Sequence, residues 1–248
     1  GYMDKIMKTK DVKKISATKI LGVSLTLLFS LTTLPAYSNG VGLNATRIVY
    51  IQDENSASIG ARDKTDINYL AKFSVSQKAD GTGPAPFTVT PPLIKIDAGK
   101  SQDIRVFAQQ NSLPRDRESV FYFSGIMIPA TNGPADRTAL NIGYNNVIKL
   151  FYRPSHLKVS PQEAYSQLII KSTSTGVVVE NNSPYYISLN ELKINGVKVE
   201  LSLKKNNTMV SPFNSFSYIV PANGRKGIAT WTVINDLGGE DVYSGQVN

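Results

Sequence analysis

Along most of the chain, apolar and polar residues alternate in short runs instead of recurring every three to four positions. Alternation places successive side chains on opposite faces of a strand. The first such runs are "TRIVYI" (46–51), "YLAKFSV" (69–75), "FTVT" (87–90), "SQDIRVFA" (101–108) and "SVFYFSGIMI" (119–128). The turn-forming clusters "ADGTGPAP", "DAGK", "NSLPRD" and "ATNGPAD" separate them. A longer run, "RTALNIGYNNVIKLFYRP" (137–154), follows and stops at a proline. The rhythm then restarts with "YSQLIIKST", "GVVVENN", "YYISLNELKI", "VKVELSL", "SFSYIV" and "IATWTVI". Asn195-Gly196 between two of these runs is a hairpin signal, because both positions tolerate positive φ. No segment holds a helical repeat over three turns. The pattern predicts an all-β chain of two antiparallel sandwiches, with residues 39–153 in the first and 154–248 in the second. Each half has the size of an immunoglobulin-like domain.

The first 38 residues stand apart from this pattern. Lys5, Lys8, Lys10, Lys13, Lys14 and Lys19 precede the apolar run "ILGVSLTLLFSLTTLP", and Ala36-Tyr37-Ser38 places small residues where a signal peptidase reads them. Residues 1–38 read as a secretory signal peptide, with cleavage expected after Ser38. The apolar run is short for a membrane span, so no membrane insertion is expected after cleavage. Removing six lysines and two aspartates lowers the net charge from +8 to about +4. The remaining basic residues are scattered, with no interleaved aromatic stripe for nucleic acid. The chain has no cysteine. An exported chain without disulfides rests on its hydrophobic cores. These features predict a soluble protein of the periplasm or the exterior.

Candidate chemistry is sparse. The chain has one histidine, His156, and no cysteine. A site of imidazoles or thiolates cannot be assembled from these, and carboxylates spaced for calcium are absent. No Gly-x-Ser-x-Gly elbow occurs. No catalytic residue, metal or cofactor is expected, and His156 reads as a solvated linker residue. Trp231 lies in a strand-like run and is assigned to the core.

The long run poses its own question. Thr138 to Ile148 carries no charge, and Leu140, Ile142 and Tyr144 share one face. Such a strand is either buried in the interior of a sheet or left open for another chain to pair with. Lys149 then sits among Ile148, Leu150, Phe151 and Tyr152.

Five segments carry a resemblance: "LPRDRESVFYF" (113–123), "VIKLFYRP" (147–154), "VINDLGG" (233–239), "TPPLIKIDAG" (90–99) and "NNSPYYISL" (181–189). In this order they resemble the signature segments of periplasmic pilus-assembly chaperones, the PapD-like family, over essentially the whole mature chain. The resemblance implies two immunoglobulin-like sandwiches arranged in an L with an interdomain cleft. It implies a chaperone that caps pilus or fimbrial subunits by donor-strand complementation and passes them to an outer-membrane usher. By position, Arg47 and Lys149 match the anchor for the subunit's C-terminal carboxylate. Leu140, Ile142 and Tyr144 match the donated apolar row. Glu118, Arg153 and Asp236 match an interdomain ion network. Pro91 and Pro92 match a pair associated with usher contact, although turn chemistry explains two prolines equally well. The short connection "PATNGPAD" resembles the short-loop branch of the family. Because Lys149 lies five residues beyond Tyr144, an unbroken strand puts them on opposite faces. Either a bulge intervenes near Asn145-Asn146, or the lysine faces the cleft from the other side. Self-capping dimerisation of the free chain stays open. The alternatives are an exported pilin or adhesin subunit, which should carry a spare N-terminal strand, and a secreted two-domain binding module.

Overall fold

The computed structural model describes residues 40–130 and 143–248. The leader, the Ser38 cleavage position, Leu140, Ile142 and most of the "PATNGPAD" connection lie outside these residues.

Among the described residues, nine strands build the first sandwich: β1 (Val41–Leu43), β2 (Arg47–Ile51), β3 (Ala57–Asp63), β4 (Tyr69–Ser76), β5 (Phe87–Thr90), β6 (Leu93–Ile96), β7 (Ser101–Ala108), β8 (Ser119–Pro129) and β9 (Tyr144–Arg153). One sheet has the order β1-β3-β7-β5 and the other β2-β9-β8-β4-β6. Their inner faces enclose Ile59, Phe73, Ile104, Val106, Phe123, Met127 and Leu150. Alternation made β2, β4, β5, β7 and β8 readable, since one face of each turns into this core. One pairing departs from the expected antiparallel arrangement: β2 runs parallel to β9, with Arg47 opposite Lys149 and Ile51 opposite Arg153. A first strand laid beside the last one is not joined to it by a hairpin, so nothing forces it to be antiparallel.

The alternation did not reveal β3, because Gly60, Arg62 and Asp63 interrupt it. Gly60 leaves room for the Asn44 side chain. Its N–H donates to Asn44 Oδ1 at 2.8 Å, and a Cβ would stand 2.6 Å from Asn44 Nδ2. The proline pair marks the crossing from β5 in one sheet to β6 in the other. Thr90-Pro91 is cis, and Phe73 N–H donates to Pro92 O at 2.9 Å.

After β9 comes a short helix, α1 (Pro161–Ser166), and then β10 (Ile169–Ser172), β11 (Gly176–Asn181), β12 (Ile187–Ile194), β13 (Val197–Lys198), β14 (Met209–Val210), β15 (Asn214–Ile219), β16 (Ile228–Ile234) and β17 (Glu240–Gln246). They form a three-stranded sheet, β10-β11-β15, and a five-stranded one, β13-β12-β16-β17 with β14 on β12. The core holds Val177, Val179, Ile187, Leu192, Ile194, Ala229, Trp231 and Val233. Trp231 is buried as expected, and its Nε1–H donates to Tyr165 O at 2.8 Å. At the hairpin, Asn195 and Gly196 take φ of 51° and 75°, the pair of positive values that a type I′ turn needs.

The run "VKVELSL" departs from the strand expected there, because only Val197–Lys198 pairs with β12. The Asn207 side chain supplies the competing bonds. Its Oδ1 accepts from Ser202 N–H at 2.9 Å and its Nδ2 donates to Glu200 O at 2.8 Å. A local amide thus replaces a ladder partner and curls the segment out of the sheet.

Candidate functional site

The geometry starts with β9. It pairs with β8 in one unbroken register, from Met127 opposite Tyr144 to Ser119 opposite Tyr152. No bulge separates Tyr144 from Lys149, so the two side chains lie on opposite faces. On its other edge β9 meets β2 only from Lys149 to Arg153. From Tyr144 to Ile148 that edge has no partner strand among the described residues. Among the described residues this leaves an open strand edge that ends where Lys149 begins. Tyr144 is 47% exposed, and its ring lies 6.3 Å from that of buried Tyr69.

The two faces of β9 serve different neighbours. Ile148, Leu150 and Tyr152 turn into the first core. Phe151 is buried yet lies outside that core, its ring 5.8 Å from Tyr186 of the second sandwich. Lys149 shares this second face. Arg47 is its register partner across the parallel ladder, where neighbouring strands lie about 4.8 Å apart. The Arg47 guanidinium is 5.4 Å from the Phe151 ring centroid, and Nη1 donates to Ile234 O at 3.2 Å.

Neither cation forms an ion pair among the described residues. Arg47 Nε is buried without a hydrogen-bond acceptor. Burial holds the Lys149 ammonium below its ordinary pKa, and the neighbouring Arg47 charge lowers it further. Burial likewise lowers Arg47, against the more distant pull of Tyr165, Asp236 and Glu118. Two desolvated cations side by side repel each other, and a planar anion between them relieves both the repulsion and the missing acceptor. A cavity of about 240 Å³ beside Lys149 is lined by Ser188, Asn190, Leu201, Thr208 and Ile234 among others. A second of about 300 Å³ is lined by Tyr122, Val147, Met209 and others, again with Lys149. Sequence reasoning missed this contribution from the second sandwich. The side chains come from a bulged strand and an irregular loop: β12 slips register between Leu189 and Glu191, leaving Asn190 unpaired at the bulge.

The three residues matched to an ion network do come together. Arg153 Nε donates to Glu118 Oε2 at 3.0 Å. Its Nη1 and Nη2 donate to Asp236 Oδ2 and Oδ1, each at 2.8 Å. Glu118 Oε1 accepts Tyr186 N–H at 2.8 Å, and Glu118 N–H donates to Pro184 O at 2.8 Å. Both carboxylate oxygens of Glu118 therefore accept, which is the pattern of the ionised group. Burial opposes that charge and pushes the Glu118 pKa up to about 7, with Arg153 pulling the other way. Hydrogen bonds and charges from Asp236 and Glu118 raise Arg153 above its ordinary value despite burial. Sequence reasoning missed Tyr186 and Pro184. Buried Asn181 sets their loop: its Nδ2 donates to Tyr185 O at 2.7 Å and its Oδ1 accepts from Ser183. The "NNSP" cluster was the available signal, since Asn and Ser before a proline fix such turns. His156 is largely solvated, 3.8 Å from Asp53.

Comparison with known proteins shows the family. The family model described as "Pili and flagellar-assembly chaperone, PapD N-terminal domain" matches residues 40–158. The one described as "Pili assembly chaperone PapD, C-terminal domain" matches residues 163–245. The chain is 36% identical over 233 residues to the probable fimbrial chaperone protein ElfD of Escherichia coli O157:H7, covering 94% of each. It is 30% identical to the chaperone protein LpfB of Salmonella typhimurium, covering 90% of this chain and 95% of LpfB. Among solved structures, one chain of the Salmonella enterica SafA pilin–SafB chaperone complex matches with a TM-score of 0.73 at 28% identity. That match covers 84% of this chain and 96% of the other. With two immunoglobulin-like sandwiches, and both family domains matched in order, this chain belongs to the PapD-like family of pilus-assembly chaperones.

Proposed function

We propose that the chain is a periplasmic chaperone that holds a pilus or fimbrial subunit by strand pairing and delivers it to an outer-membrane usher. The observation that carries this reading is the unpaired edge of β9, which runs directly into the Arg47–Lys149 pair. An incomplete subunit pairs its backbone along that edge, and Leu140, Ile142 and Tyr144 fill its alternate pockets. Filling a pocket is worth roughly 1.5–3 kcal/mol per apolar side chain, so three suffice for a stable noncovalent complex. The subunit's C-terminal carboxylate takes the seat between Arg47 and Lys149, with arginine offering two parallel donors. The work is binding rather than catalysis. Glu118, Arg153 and Asp236 fix the angle between the sandwiches and so the width of the seat. Pro91 and Pro92, at the sheet crossing, are the proposed usher contact. Residues 1–38 direct export and are removed after Ser38, leaving domains 39–153 and 154–248. That a SafB chaperone has been solved with its SafA pilin supports the same role here. The pilin alternative is not favoured, since both family domains of a chaperone are matched.

The test is co-purification from the periplasm with the subunits encoded beside the gene. Lys149→Ala and Arg47→Ala should each weaken capture by about 2–5 kcal/mol. Unchanged recovery in both variants contradicts the anchor.

A further inference from the structure

The second sandwich has three strands in one sheet and an open edge that its other edges do not share. β17 begins with Glu240 and Asp241, charges that discourage pairing. The free side of β10 is covered: Ser172 N–H donates to Asn248 O and Asn248 N–H to Ile170 O, both at 2.9 Å. β13 is two residues long. β15, in contrast, pairs only with β11 among the described residues. Its six residues, "NSFSYI", contain no charge and no proline.

The ladder tells which backbone groups are free. Val220 N–H donates to the carbonyl of Thr175, which continues the register of Ile219 opposite Gly176. Hydrogen-bonded pairs alternate from there, so Tyr218 and Phe216 bond to β11 while Ser215, Ser217 and Ile219 point their N–H and C=O groups outward. Ser215 N–H is met locally by Asn214 Oδ1 at 2.8 Å. The outward groups of Ser217 and Ile219 have no backbone partner among the described residues. Ile219 is 91% exposed. Beside this edge runs a groove lined by Val199, Phe216, Tyr218 and Ile219 among others. The nearest charges are already neutralised within the chain, Lys205 by Glu200 and Lys198 by Glu191.

The edge suits an extended, uncharged strand with aromatics on its core face and two serines and an isoleucine on the other. β15 itself meets that description. We propose that two copies of this chain associate through β15, antiparallel about a two-fold axis at Ser217. That register sets Ser217 against Ser217 and Ser215 against Ile219, so outward groups face outward groups, with Ser215 N–H exchanging its local bond to Asn214 Oδ1 for the Ile219 carbonyl of the other copy. On the core face, Phe216 falls opposite Tyr218 of the second copy. The existing ring pair, 4.8 Å between centroids, becomes a cluster of four. The contact joins two three-stranded sheets into one of six. It leaves β9 and the Arg47–Lys149 seat free, so it goes beyond the chaperone reading and does not compete with a bound subunit. A single strand pair buries less area than a standard interface, so the dimer is weak.

Sedimentation equilibrium of the processed chain, from about 10 μM to about 1 mM, should show the mean mass rising towards twice the monomer's, as a small interface requires. Ser217→Lys, a charge on an exposed edge position, should hold the mass at the monomer's throughout, while Tyr144→Lys should leave the association intact. Amide exchange at Ser217 and Ile219 in the wild type should slow as concentration rises. Three results overturn the proposal: a monomer at the highest concentration, a dimer that survives Ser217→Lys, or a dimer lost in Tyr144→Lys, which would place the contact on β9.

Discussion

Lys149 and Glu118 are both charged groups in surroundings that disfavour charge, and each leaves a pH signature of its own. Burial and Arg47 depress the Lys149 pKa in the folded chain. Between that lowered value and the unfolded one the folded state binds fewer protons, so stability should rise with pH across the window. Lys149→Met should remove this rise from the melting temperature of the free protein, measured towards pH 10.5. A bound carboxylate should abolish it as well, by restoring the ammonium. A variant with the wild-type profile contradicts the pairing of the two cations. Glu118 behaves in the opposite sense. Its folded pKa stands near 7 against 4.5, so the folded state holds the extra proton between these values. Its contribution is full below about 4.5 and is lost as pH rises through about 7. The loss is at most roughly 3 kcal/mol by linkage. Glu118→Gln should flatten the denaturation midpoint over that interval, and an unchanged slope rules the assignment out.

At the scale of elements, the sequence exposed what alternation controls and hid what side chains override. β5 and β16 match their runs to the residue, because nothing competes with the ladder there. The "VKVELSL" run failed because Asn207 supplies the bonds a strand partner would have made, a contact made across the fold of the loop. α1 was missed because six residues cannot display a helical period, yet its capping box was written in "SPQE". Ser160 accepts Glu163 N–H while Glu163 accepts Ser160 N–H. Ser160→Ala should cost about 1 kcal/mol in urea denaturation, and a loss below a few tenths would show the helix is held by packing alone. The pairing of Arg47 with Lys149 was reachable only by resemblance, since residues about a hundred positions apart carry no local signal of contact. The parity conflict between Tyr144 and Lys149 was visible in the spacing, and the unbroken register resolved it. β9 thus turns Tyr144 to one face and Lys149 to the other. Tyr144→Lys tests that division. With Tyr144 half-exposed at the strand's end, thermal stability should hold, while recovery of the subunit should fall at least tenfold if the row fills pockets. Full recovery would remove Tyr144 from the donated row.

For the whole molecule, the question is what couples two sandwiches that each have a core of their own. Arg153 closes the first sandwich and reaches both Glu118 beside it and Asp236 on the loop after β16. Glu118 in turn accepts from Tyr186 and donates to Pro184, so the bridge includes backbone on the far side. A buried ion cluster is weak evidence for net stability, because desolvation offsets attraction. It is better evidence for geometry, since four directed bonds cross between the sandwiches and are met together only at one relative orientation. Arg153→Ala separates these roles. It leaves Glu118, 3% exposed, without its cation, and about 3–5 kcal/mol should be lost. Asp236→Asn keeps the Glu118 contact and should lose far less. Calorimetry then decides what the cluster is for. If it sets the orientation, the wild type should unfold in one transition and Arg153→Ala in two, one for each core. Subunit capture should fall in the same variant although Arg47 and Lys149 are untouched. If the transition stays single and capture is unchanged, the angle is held by the Phe151–Tyr186 contact instead, and the ions only fill the space beside it.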